Sequence, residues 1–81
     1  MKVEFTEGFR EDYRRIKDRS LRERIWKALK KLEFMPECGK PLMHDMKGHR
    51  RLVVAPFRLI YRIEDGRILV VNFEHRKSVY K

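Results

Sequence analysis

Residues 57–74 read FRLIYRIEDGRILVVNFE: Phe57-Arg58-Leu59-Ile60-Tyr61-Arg62-Ile63-Glu64, then Asp65-Gly66, then Arg67-Ile68-Leu69-Val70-Val71-Asn72-Phe73-Glu74. Two runs rich in β-branched and aromatic residues flank an Asp-Gly pair, the strongest short-range signal for a β-hairpin. A two-residue loop places Glu64 opposite Arg67, and if no bulge intervenes every pair outward from there follows. One face then carries Phe57, Leu59, Tyr61 and Ile63 with Ile68, Val70, Asn72 and Glu74. The other carries Arg58, Ile60, Arg62 and Glu64 with Leu69, Val71, Phe73 and His75. The first face, nearly all apolar, is expected to pack on helices. The second sets Arg58 across from Phe73 and diagonally near His75, with Arg76 next in the chain. The open end of the hairpin thus gathers Arg58, His75 and Arg76; the plainer alternative is a solvated arginine lying over Phe73.

Working upstream, residues 51–54 read as a further strand and Ala55-Pro56 as the turn into the hairpin. Residues 36–48, with Pro36, Gly39, Pro41 and Gly48, read as a loop. Before it the period changes. Leu21, Ile25, Ala28, Leu29 and Leu32 form one apolar stripe at helical spacing, with Trp26 at its edge. Ser20 with Glu23 three residues on has the form of a capping box, and the helix is expected to end before Pro36. Phe9, Tyr13 and Ile16 recur at helical spacing in an earlier helix, with Glu11 and Asp12 in its first turn. Residues 2–6 alternate as a short first strand. The expected order is β-α-α-β-β-β: an α+β fold, one domain over residues 1–81, with a mainly antiparallel sheet and an N-terminal helical hairpin on one face.

Composition narrows the function classes. The 81 residues carry 21 Lys/Arg against 12 Asp/Glu, a net charge of +9. Residues 1–40 hold twelve basic and eight acidic side chains, residues 41–81 nine and four, and arginine dominates the second set. An apolar fraction of 42% argues against a disordered chain. No apolar run approaches the roughly 20 residues that span a bilayer, and the N-terminus has no apolar signal-peptide core. A single cysteine, Cys38, can form neither an internal disulfide nor a zinc site, so the fold rests on its own core. A high content of charged residues also suits life at high temperature, but that does not explain the sign. The expectation is a cytoplasmic protein, without metal or cofactor, whose partner is a polyanion.

Candidate functional residues follow. Lys47, His49, Arg50 and Arg51 form a basic cluster at the mouth of the strand before the hairpin; the bland reading is a solvated loop. His44-Asp45 has no accompanying nucleophile, and there is no phosphate-binding loop or paired-carboxylate motif. Tyr80 is either a site residue or a tail aromatic docked on the sheet. Any chemistry falls to arginine, histidine and tyrosine.

Three segments together, Leu42-Met-His-Asp-Met-Lys-Gly-His-Arg-Arg51, Pro56-Phe-Arg-Leu-Ile-Tyr-Arg-Ile63 and His75-Arg-Lys-Ser-Val-Tyr80, resemble the RelE branch of the RelE/ParE toxin superfamily, and the length and element order match across the chain. The resemblance implies the toxin of a type II toxin–antitoxin pair: a metal-independent endoribonuclease that cuts mRNA in the ribosomal A site by 2′-OH attack. Such a reaction needs a proton acceptor, cations for the phosphorane charge and an acid for the leaving oxygen. By the same resemblance Arg58 stabilises the phosphate, and Arg76 does so or protonates the leaving group. Tyr80 acts as base or orients a nucleotide. Arg51, with Arg50 as its register alternative, lies where the family has basic residues, often lysines; arginine is a poor proton acceptor. His75 shares acid–base duty, and Lys47, His49, Arg50 and Lys77 contact RNA or the ribosome. The implied partners are the ribosome, mRNA and an acidic RelB-like antitoxin in a heterodimer or heterotetramer, with no membrane. A ParE-like gyrase inhibitor and a non-catalytic RNA- or ribosome-binding module are the alternatives.

Overall fold

Apolar periodicity, two side-chain caps and one tight turn set the elements of the chain. In this computed structural model residues 1–75 are described; Arg76, Lys77 and Tyr80, three of the expected site residues, lie outside the described residues. The order is β1 (Lys2–Phe5), α1 (Glu7–Arg14), α2 (Arg19–Phe34), β2 (Lys40–Pro41), a 3-10 turn (His44–Met46), β3 (His49–Val54), β4 (Phe57–Glu64) and β5 (Arg67–His75). The expected β-α-α-β-β-β order holds, with β2 as a two-residue addition inside the segment read as loop. The sheet runs β1-β5-β4-β3-β2, antiparallel except that β1 lies parallel to β5.

The core lies between the helices and one sheet face. From α2 come Leu21, Ile25, Leu29 and Leu32, and from α1 and its exit Phe9 and Ile16. They meet Val54, Leu59, Tyr61, Ile68, Val70 and Phe73 of the sheet. Trp26, at the edge of the stripe, is exposed. The cap of α2 differs from the expected one. Asp18, not Ser20, accepts the free amides, from Ser20 N at 2.9 Å and Leu21 N at 3.3 Å. The carboxylate adds charge to the helix N-terminus, which a hydroxyl does not, and Ser20 falls inside the first turn.

The Asp65-Gly66 turn forms as expected, with φ of 51° and 73° at its two residues, the left-handed pair that a type I′ turn requires. The uniform register beyond it does not hold. Tyr61 pairs with Val70, but Ile60 pairs with Asn72, Leu59 with Phe73, Arg58 with Glu74 and Phe57 with His75. Val71 is the extra residue of a β-bulge. From there on each side chain of β5 points to the face opposite the expected one. Phe73 moves into the core, where it stacks on Phe57 with centroids 4.4 Å apart. Asn72 and Glu74 move to the helix-free face. The bulge is anchored from across the sheet: the Thr6 hydroxyl donates to Val71 O at 2.7 Å and accepts from Phe9 N at 3.2 Å. One side chain thus caps α1, closes the end of β1 and fixes the extra residue.

Behind the site, Tyr61 is fully buried. Its hydroxyl donates to Pro36 O at 2.8 Å and accepts from Gly39 N at 2.9 Å. Gly39 is needed here for space: a Cβ would collide with the Tyr61 hydroxyl and come within 2.8 Å of Arg51 O. Burial pushes the Tyr61 phenol above its ordinary pKa, against the smaller opposing effect of the Gly39 amide.

Candidate functional site

The helix-free sheet face collects the odd-numbered residues of β3 and the even-numbered residues of β4. Register pairs Val53 with Arg58, Arg51 with Ile60 and His49 with Arg62, and directly opposed residues share a face. Lys40 of β2 lies beside Arg51. Charge is distributed unevenly over this face. Near the Asp65-Gly66 turn, acids and bases alternate: Arg62 lies 3.2 Å from Glu64, Glu64 3.7 Å from Arg67, and Arg67 pairs with Glu4. Toward the other end Arg51 and Lys40 have no acidic partner within 4.0 Å among the described residues.

Arg58 lies at that end. Its side chain is 11% exposed, and its NH2 is 3.6 Å from Glu74 Oε2. That spacing permits attraction without a hydrogen bond. Its Nε is buried and has no hydrogen-bond partner, as are His49 Nδ1 and Arg62 Nε. Unmatched buried polar groups of this kind are costly, and the Nε–H of Arg58 and of Arg62 are donors that could serve the oxygens of an anion. Arginine is the better residue for such a task because its planar fork matches phosphate geometry.

The structure separates the expected site residues. Arg51 and Arg58 share the open face, and His49 shares it too. Arg50, the register alternative to Arg51, pairs with Tyr61 on the helix side. Its guanidinium donates to Gly39 O at 2.8 Å and Glu37 O at 3.2 Å, so it fastens the segment before β2. Lys47 is exposed in the turn that leads into β3, with its amide on His44 O at 3.0 Å. His75 is not on the face of Arg58. The bulge turns it to the helix side, where its ring meets Phe57 edge-on at 5.0 Å. Asn72, Glu74 and Lys40 are the neighbours of the arginines that sequence reading missed. The one signal for the first two was a polar Asn72 interrupting an apolar run. Among the described residues no group of three His, Cys, Asp or Glu side chains converges as a metal site. No helix among them is long and apolar enough to cross a membrane.

Comparison with known proteins agrees with this architecture. Toxin RelG of Mycobacterium tuberculosis is 29% identical over 98% of this chain and 94% of its own. The YoeB/ParE toxin from Agrobacterium tumefaciens superposes with a TM-score of 0.82 at 25% identity, over 93% of this chain and 98% of the other. The toxin–antitoxin complex RelBE2 from Mycobacterium tuberculosis contains a chain that superposes with a TM-score of 0.79 at 29% identity, over 93% and 96%. The family model described as the ParE toxin of the type II toxin–antitoxin system parDE matches residues 3–80. With nearly the whole chain spanned by that match, and the five-stranded sheet and helical pair shared with the solved toxins, this protein belongs to the ParE toxin family of type II toxin–antitoxin systems, within the RelE/ParE superfamily.

Proposed function

We propose that this toxin is a ribosome-dependent mRNA endonuclease that cuts in the ribosomal A site without a metal ion. The observation that carries the proposal is that Arg51 and Arg58 lie on one helix-free face, the first with no acidic partner among the described residues and the second buried with an unmatched donor. In the reaction, the 2′-OH oxygen bonds to the adjacent phosphorus, the 2′ proton passes to a base, and the bond to the 5′ oxygen breaks as that oxygen gains a proton. The products are a 2′,3′-cyclic phosphate and a 5′-OH. Arg58 and Arg51 stabilise the extra negative charge of the pentavalent phosphorane, and donors fixed in a partly dry site do this without reorganising. His49, on the same face, contacts RNA. Arg76 and Tyr80 hold the remaining phosphate and proton-transfer roles, and Lys47 and Lys77 contact ribosomal RNA. Arg50 and His75 are left out of the chemistry because they lie on the helix side.

The partner that silences the toxin is an acidic RelB-like antitoxin, in a heterodimer or heterotetramer. Support comes from the net charge of +9, which favours an acidic partner electrostatically, and from the RelBE2 relative, solved as a toxin–antitoxin complex. The site of action is the cytoplasm, where translation runs.

The test is to add the purified protein to ribosomes translating a defined mRNA and map ends by primer extension, beside naked mRNA and the Arg58→Ala/Arg51→Ala double variant. Cuts at the A-site codon that need the ribosome and vanish in the variant are expected. Intact mRNA with ribosome binding retained would refute the nuclease reading. A second reading, inhibition of DNA gyrase, is favoured by the ParE name of the matching family model; loss of plasmid supercoiling by gyrase in the toxin's presence would establish it instead.

A further inference from the structure

We propose that Glu74 is a positioning residue for Arg58: it holds the guanidinium in place for phosphate while leaving the guanidinium donors unspent. The proposal rests on the nuclease reading above for its effect on turnover, though not for its effect on RNA binding. Glu74 faces Arg58 only because the Val71 bulge turns it to the open side. Its carboxylate is tethered by the far oxygen, since Asn72 Nδ2 donates to Glu74 Oε1 at 2.8 Å. Asn72 is itself fixed, its Oδ1 accepting from Phe73 N at 2.9 Å. The tether leaves Glu74 Oε2 at 3.6 Å from Arg58 NH2. A carboxylate free to move would close on the arginine and take up its fork as a bidentate pair. Held back, it attracts the guanidinium along the sheet and fixes its direction.

This arrangement has two opposed consequences. The negative charge beside Arg58 repels the RNA backbone and weakens ground-state binding. The fixed direction of Arg58 raises the rate of the chemical step, because misplacing a group by about 1 Å can cost as much as 10²-fold. Glu74→Gln removes the charge and the alignment together. It is expected to tighten binding of a labelled single-stranded oligoribonucleotide by about 2- to 5-fold while lowering the rate of ribosome-dependent cleavage by about 10-fold or more. Asn72→Ala releases the carboxylate onto Arg58, so it is expected to weaken RNA binding and slow cleavage as well. Once Glu74 is Gln, Asn72→Ala has nothing left to release and its effect disappears.

The experiment measures oligoribonucleotide affinity by fluorescence anisotropy and single-turnover cleavage on ribosomes for the two single variants and their double. The two single variants are also measured in an Arg58→Ala background, and thermal melts confirm folding. Opposite shifts in binding, equal-sign losses in cleavage, and disappearance in Arg58→Ala of both cleavage losses and of the Asn72→Ala binding shift establish the role. A Glu74→Gln variant that binds more tightly but cuts at the wild-type rate overturns it, leaving Glu74 a mere source of repulsion. Unchanged binding in both single variants overturns it too. If the wild type makes no cuts, the nuclease reading falls while the binding arm still decides: an Asn72→Ala shift that persists without Arg58 refutes the positioning role, and one that needs Arg58 upholds it.

Discussion

Thr6→Val tests whether one hydroxyl holds together a helix start, a strand end and the bulge that shapes the site. Valine keeps the β-branched shape and suits the extended backbone of Thr6, at φ −76° and ψ 162°, so the change removes an oxygen and little else. Two hydrogen bonds are lost. The first is the cap, accepted from Phe9 N at 3.2 Å; losing an N-cap costs about 1 kcal/mol. The second is donated to Val71 O at 2.7 Å in part-buried surroundings, for which about 1 kcal/mol is the usual net contribution. The expected loss is therefore about 2 kcal/mol. For a domain of this size that lowers Tm by about 8–16 °C. Urea denaturation followed by far-UV circular dichroism measures it, with the midpoint shifting at constant m-value. Thr6→Ser, which keeps the oxygen, should recover most of the loss. A Thr6→Val protein within about 0.5 kcal/mol of wild type would refute the idea that this hydroxyl anchors the bulge.

Other perturbations have sharp expectations. Asp18→Ala should cost about 1 kcal/mol, whereas Ser20→Ala should change stability by less than about 0.5 kcal/mol; equal effects in chemical denaturation would contradict the observed cap. Tyr61→Phe leaves Gly39 N and Pro36 O without their partner and should destabilise by about 1–3 kcal/mol. Because burial raises the phenol pKa, the native state keeps a proton that the unfolded chain loses near pH 10, so stability should fall as pH climbs past about 10. A pH series of urea melts should show that part of the fall missing in Tyr61→Phe. Gly39→Ala pushes a methyl into the Tyr61 hydroxyl and the Arg51 backbone and should cost about 1–3 kcal/mol by urea denaturation. Arg58→Ala should slow ribosome-dependent cleavage by about 10²-fold or more, read by single-turnover assay on a variant that still melts cooperatively.

Local physics was legible in the sequence and long-range physics was not. The Asp65-Gly66 turn and the stripe from Leu21 to Leu32 each depend on residues within a few positions of one another, and both are as the sequence predicts; α1 starts earlier than expected, at Glu7 behind the Thr6 cap, so Glu11 and Asp12 fall past its first turn. The parallel pairing of β1 with β5 joins segments some sixty residues apart, and a chain carries no short-range mark for such a contact. The bulge was hidden for a different reason. Ile68, Leu69, Val70 and Val71 are apolar on both sides of the strand, so no alternation shows where the register slips. Placement of the site followed from that. Arg51 and Arg58 share a face through the β3–β4 pairing, which has no bulge. His75, read through the uniform β4–β5 register, came out on the wrong side, and Glu74 was hidden with it. Asp18 and Ser20 both suit the N-terminus of α2, and only the observed hydrogen bonds choose between them.

The bulge also governs how this strand tolerates evolutionary change. Substituting Val71 leaves the count of residues between the turn and Glu74 intact. Deleting it shortens that count by one yet only turns the bulge into a regular ladder, in which Asn72, Phe73 and Glu74 keep Ile60, Leu59 and Arg58 as partners and so keep their faces. An alignment that runs through β5 without allowing a one-residue gap at this point would equate side chains from opposite faces of the sheet. Relatives lacking the extra residue would then seem to have lost the counterpart of Glu74 when they carry it one position earlier, on the same face. Comparison of this family past position 71 therefore has to be made by face, with structure setting the gap, before any residue there is matched to another.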